Sequence, residues 1–362
     1  MIDPASGPLQ DPAGLYSAAL ELSGDEGMRG LPLIMGFTGF ADAGHAVRQI
    51  IDELITVQGA GAIAAFDVDQ LLDYRSRRPR IRFVEDHLED YDAPALALYR
   101  LNDGLGRPYL LLAGPEPDLQ WERFARAVVG LVERLEVRQT LWVHAIPMPV
   151  PHTRPLGVTV HGNRPELVEG ISRWKPVVEF PGAVGHLVEI RLIEAGHDVT
   201  GFVVHVPHYL AEAEYPAAAV TGLEHLGAAA SLMLPSDRLR EAAREVERQV
   251  AEQVAASAEI RELVAGLEER FDDHTADVPR RSLLAGPADE LPTAEDLGAA
   301  VEAYLAAHGD EDAEGPGEAL GAGGADDGGT DDGGAPPAAG SSPHAPGDAP
   351  RGEGSEGEEP PH

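Results

Sequence analysis

The stretch TLWVHAIPMPVPHTRP, Thr140–Pro155, decides how the rest of the chain reads. Its first part, TLWVHA, is an apolar run with one histidine, the pattern of a strand buried on both faces. The remainder carries four prolines. Proline fixes φ and lacks an N–H, so Pro147, Pro149 and Pro151 end the ladder and block a helix. Pro155 holds Arg154 extended. The chain therefore leaves a buried strand on a stiff path that displays His152, Thr153 and Arg154. A second stretch, VTGFVVHVPH, Val199–His208, repeats the plan of apolar run, histidine and proline. As parallel neighbours, the two strands would set His144 and His205 at one height. The loops after them would then meet outside the carboxyl ends, where open α/β sheets bind ligands.

Outward from this pair, apolar runs alternate with helical spacing. LPLIMGF (31–37) precedes a segment with Val47, Ile50, Ile51 and Leu54 at three-to-four spacing. GAIAAFDV is a further short run. ALALYRL (95–101) and PYLLLAG (108–114), joined by NDGLGR, read as a hairpin. WERFARAVVGLVERL is an amphipathic helix, and GVTVHG a strand. GAVGHLVEIRLIEAG is a helix that stops at Gly196, and YPAAAVTGLEHLGAAASLML is another. Such alternation predicts an α/β core over 29–235: a mostly parallel, twisted sheet flanked by helices. Segment 78–94 breaks the rhythm. It is charged, alternates at Ile81 and Phe83, and reads as an inserted hairpin.

From Ser236 a helical extension to 308 is expected. Leu239, Ala243, Val246, Val250 and Val254 form one stripe, and Ile260, Leu263, Val264, Leu267 and Phe271 a second. A third helix would open at Thr293 with Asp296 three residues on. Helices this short must pack on the core or on a neighbouring chain. Residues 1–28, rich in Pro, Gly and Asp, read as a flexible segment. Residues 309–362 hold 14 acidic residues, one basic residue and few large apolar ones, and read as a disordered acidic tail.

Composition narrows the function. A formal net charge of −35 disfavours nucleic acid and anionic membrane as partners. The chain has no cysteine, hence no disulfide and no thiol nucleophile. The start MIDPASGPLQ lacks a basic and apolar leader, and no apolar run reaches the roughly 18 residues of a membrane helix. A soluble, cytoplasmic protein is expected. The lone lysine, Lys175, lies outside any P-loop pattern. GAGAIA (59–64) has the letters of a dinucleotide fingerprint but precedes its strand instead of following it. No nucleophile elbow and no paired-histidine zinc motif occurs, so neither metal nor cofactor is expected.

Three groups of residues survive as candidate ligand-binding positions. GFTGFADAGHA (36–46) brings Gly39, Asp42 and Gly44 to a strand-to-helix turn suited to an anion, or to Asp42 acting as the helix cap. GPEPDLQW (114–121) places Glu116 after another strand end. The loops after the twin strands supply His152, Thr153, Arg154, His208, Tyr209 and Glu214. Arg154 fits a carboxylate or phosphate bidentately, or ties loops together by pairing with Glu116 or Glu214. His144 and His205 themselves read as hydrogen-bonded core histidines.

GFADAGHAV, GPEPDLQWERF, IPMPVPHTRP and GHLVEIRLIEAGHDVTGFVVHVPHYLAEAEYPAAA together resemble the actinobacterial branch of the proteasome assembly chaperone type 2 family, over roughly residues 30–270. The resemblance implies a core similar in fold to purine nucleoside phosphorylases. It also implies a hairpin used to form a homotrimer, matching 78–94, and a helical region covering a ligand site, matching 236–308. It brings no catalytic residues. Two functions stay open: a non-enzymatic assembly module with proteasome-related partners, or a small-molecule binder or phosphorylase- or hydrolase-like enzyme. The second would work at the strand carboxyl ends under the helical lid.

Overall fold

In a computed structural model, residues 10–18, 26–56, 61–168 and 177–275 are described. The chain divides into two units, Met1–Glu290 and Leu291–His362, and the second lies wholly outside the described residues. So do the expected helix at Thr293 and the acidic tail.

The apolar runs form one eight-stranded sheet. Its strands are β1 (Tyr16–Ala18), β2 (Leu33–Thr38), β3 (Ala62–Phe66), β6 (Ala97–Asn102), β7 (Pro108–Pro115), β8 (Thr140–Met148), β9 (Val158–Gly162) and β10 (Val199–Pro207). The order is β1-β3-β6-β7-β2-β8-β10-β9. At the centre β7, β2, β8 and β10 run parallel. On one flank β6 and β3 alternate in direction and β1 closes the edge; on the other, β9 returns antiparallel to β10. The β6–β7 hairpin stands as the sequence predicts. β4 (Arg82–Val84) and β5 (His87–Glu89) form the inserted hairpin as a separate two-stranded sheet.

Helices cover both faces, which is why the central strands are apolar throughout. One face carries α1 (Ala46–Thr56), α6 (Pro216–Ala230) and α7 (Asp237–Ala256) over Ile34, Leu111, Leu141, Val143, Phe202 and Val204. The other carries α3 (Trp121–Arg134) and α5 (Val184–Glu194) over Met35, Leu110, Leu112 and Trp142. Short helices α2 (Val68–Leu71) and α4 (Pro165–Val168) sit in connections, and α8 (Ala258–Thr275) follows α7. Of the two expected stripes, Leu239, Ala243 and Val250 of α7 and Val264 and Leu267 of α8 are buried, Val246, Val254 and Phe271 are half-buried, and Ile260 and Leu263 are exposed.

Two expectations change. Residues 12–18, read as part of a flexible segment, form a helical turn and strand β1, which pairs with β3 through Tyr16–Ala18. Leu15 is fully buried there, so one large apolar side chain anchors a stretch whose composition suggests none. The twin strands do lie parallel and adjacent, but His144 is registered with Val203, and His205 with Ile146. The two histidines share a sheet face and differ in height by two residues, because sequence likeness does not fix strand register.

Candidate functional site

The candidate residues lie at the carboxyl ends of the central strands, in three separate places. The first gathers Gly39 and Glu116. Glu116 is buried, and its Oε1 accepts the Val184 N–H at 2.7 Å, at the start of α5. Its Oε2 accepts the Phe40 N–H at 3.3 Å. A carboxylate on a helix N-terminus satisfies a free donor and the helix dipole together. Glu116 is thus committed to joining two loops to α5, on the sheet face opposite the second and third groups.

The second place is the start of α1. Asp42 Oδ1 accepts the Val47 N–H at 2.6 Å, so Asp42 is the helix cap. Burial raises its carboxyl to about 7, against the pull of that hydrogen bond and of Arg48. Gly44 has φ 65°, and a Cβ there would lie 3.0 Å from that of Tyr215. Glu214 pairs with Arg48 at 2.6 Å.

The third place is the proline-fixed loop. The Tyr209 hydroxyl lies 2.7 Å from His152 Nδ1 and accepts the His152 N–H at 2.9 Å. Burial lowers the His152 pKa, so the ring is neutral near pH 7. Arg154 Nε and Nη2 reach the two oxygens of Asp272 at 2.8 and 2.7 Å, and Nη1 reaches Glu268 at 3.2 Å. The Thr153 hydroxyl also donates to Glu268. Neither Glu116 nor Glu214 is the partner of Arg154; the carboxylates come from α8. His208 is exposed, its ring edge-on to Tyr209. Beside this loop, under α7 and against α6, opens a cavity of about 380 Å³. His152, Arg154, Pro155, Leu156, Tyr215 and Val220 line it from the core.

Sequence reasoning missed a fourth cluster, beneath α5. His144 stacks on Trp142, with ring centroids 4.2 Å apart. Trp142 Nε1–H donates to Glu189 Oε2 at 2.5 Å, and His161 Nδ1 meets Glu189 Oε1 at 2.9 Å. His161 Nε2 and His144 Nε2 are 3.2 Å apart. His161 thus lies between the Glu189 carboxylate at its Nδ1 and the His144 ring at its Nε2. His144 Nδ1 is buried without a hydrogen-bond partner among the described residues. Burial holds His144 neutral, and the neighbouring His161 and His186 add to that effect. His186 Nδ1 accepts the Ala183 N–H at 2.9 Å. Two glycines make room: a Cβ on Gly185 would lie 2.5 Å from the Trp142 ring, and one on Gly201 2.2 Å from the His161 ring. A glycine inside the strand VTGFVVHV was the available signal. Among the described residues no three metal-ligating side chains converge, and no helix is long and apolar enough to cross a membrane.

The protein thus combines an open α/β sheet, candidate residues at the strand carboxyl ends and a separate two-stranded hairpin. The chain belongs to the PAC2 family, whose model matches residues 36–254. Among solved structures it is similar to the Mycobacterium tuberculosis protein Rv2714, of unknown function, with 46% identity, TM-score 0.69, and coverage of 75% of this chain and 94% of that one. A Corynebacterium glutamicum protein of unknown function shows 38% identity and TM-score 0.69, over 74% of this chain and 99% of that one. The Mycobacterium tuberculosis proteasome-assembly chaperone homologue Rv2125 shows 25% identity and TM-score 0.59, over 65% of this chain and 100% of that one. No curated protein matches the chain.

Proposed function

We propose that the protein is a cytoplasmic assembly module that self-associates through the β4–β5 hairpin, as a homotrimer, and engages proteasome-related proteins. The observation that carries self-association is the hairpin's apolar pair. Phe83 and Leu88 are cross-strand partners, 67% and 68% exposed. An isolated two-stranded hairpin is marginal in water and needs a surface to pack on. A partner chain would supply one. The proteasome link rests on family membership and on the likeness to a proteasome-assembly chaperone homologue. Sedimentation of the Phe83→Ser, Leu88→Ser double variant tests the first part: the mass should fall from trimer to monomer, and an unchanged mass would sink it. Affinity purification from cells that make the protein tests the second, and recovery without any proteasome subunit would count against it.

A second reading, small-molecule binding, is favoured by the cavity between the proline-fixed loop and α7. Its position at the strand carboxyl ends is where open α/β sheets hold ligands.

A further inference from the structure

The charged groups around the cavity are unevenly committed. Arg154 is held by Asp272 and Glu268. Arg240 reaches Glu224 at 2.7 Å and the Ser236 hydroxyl at 3.1 Å. Arg244 and Glu247 of α7 also line the cavity, and neither makes an ion pair with any described residue. They sit three residues apart, a spacing at which helical side chains are neighbours. Glu247 shares the cavity lining with His152 and Tyr215, and its charge raises the pKa of each. Pro155, Leu156, Ala217, Val220 and Ala243 form an apolar strip within a lining that also includes Tyr215 and Thr221.

We propose that this cavity binds a zwitterion of amino-acid type with an apolar side chain, its carboxylate on Arg244 and its ammonium on Glu247. The inference rests on the small-molecule reading of the same cavity and names its ligand class. A simple anion would gain Arg244 but meet Glu247. A simple cation would meet the reverse. A neutral apolar ligand would strip water from both charges without replacing it. One molecule carrying both charges close together satisfies each with a charge-assisted hydrogen bond, bidentate at the guanidinium. The apolar strip takes the side chain. Free amino acids and short peptides share this chemistry, and the cavity's volume accommodates either.

The test is isothermal titration of the full-length protein with L-leucine and with the dipeptide Leu-Leu, against N-acetyl-L-leucine and L-leucinamide. Binding by L-leucine marks the free amino acid as ligand, and binding by Leu-Leu alone marks a peptide. Each blocked compound should bind about tenfold more weakly or worse, having lost one charged contact. Arg244→Met should abolish binding of the free compounds. Glu247→Gln should erase the preference for a free amine. Both positions are exposed on α7, so folding is retained, and circular dichroism checks this. Equal binding of free and acetylated leucine would overturn the proposal. So would failure of both free compounds while a sugar phosphate or nucleotide binds and is lost in Val220→Trp; the small-molecule reading would then survive. Absence of binding by all of these would overturn both.

Discussion

Replacing His205 with glutamine should flatten the acid side of the protein's stability profile by a predictable amount. His205 lies in β10, its Nε2 2.9 Å from the Thr159 hydroxyl, and burial lowers its pKa from 6.5 to about 4. In the unfolded chain a histidine takes a proton near pH 6.5. The folded-state value is the lower one, so the contribution to stability is complete above pH 6.5. It is lost progressively as the pH falls towards 4. At pH 5 the loss is about 1.4 kcal/mol per unit over one and a half units, or about 2 kcal/mol. Glutamine keeps a polar group near Thr159 and does not titrate. Urea unfolding at pH 7 and pH 5, followed by circular dichroism, should therefore show the wild type losing about 2 kcal/mol more than His205→Gln across that interval. Histidine NMR on the folded protein supplies the independent check, a resonance that titrates near pH 4. Equal losses in the two proteins, or a His205 titration midpoint near 6.5, would refute the burial argument.

Gly185→Ala should force its new methyl into the Trp142 ring and destabilise the fold by about 1–3 kcal/mol, read as a lower urea midpoint with shifted tryptophan fluorescence. Arg154→Ala should release α8 while leaving the sheet intact, so hydrogen exchange should quicken over 258–275 and stay unchanged in β8 and β10. The cost to global stability should be small, because these ion pairs lie at the solvent-exposed rim, where water screens them.

Much of the fold was legible because it depends on local pattern. The apolar runs that became β2, β7, β8 and β10 could be placed in no layer but the centre of a covered sheet, and helical spacing marked α1, α3 and α6 directly. The proline-fixed exit of β8 lies beside a cavity whose lining includes His152 and Arg154. Pairings between distant elements were not legible. Arg154 finds its carboxylates in α8, more than a hundred residues downstream, and nothing in HTRP specifies them. The candidate residues also separate by sheet face. Glu116 turns towards α5, whereas Arg154 turns towards α8 and His152 lines the cavity under α7, and membership of one sheet edge does not reveal that division. The Glu189, His161 and His144 cluster draws on α5, β9 and β8. It required knowing that β9 doubles back beside β10, a choice fixed by tertiary packing.

The contact between the proline-fixed loop and α8 has a consequence for cutting the chain. A protein ended after Pro235, where composition changes, would keep every strand of the large sheet. It would also strip Arg154 and Thr153 of their carboxylates and leave Glu53, buried on α1, without the 3.8 Å approach of Arg238. The faces of α1 and α6 now under Leu239 and Ala243 would meet water. A piece ended at Pro235 is therefore expected to unfold at lower urea than the full chain, because the boundary that composition marks cuts through the buried contacts of α7.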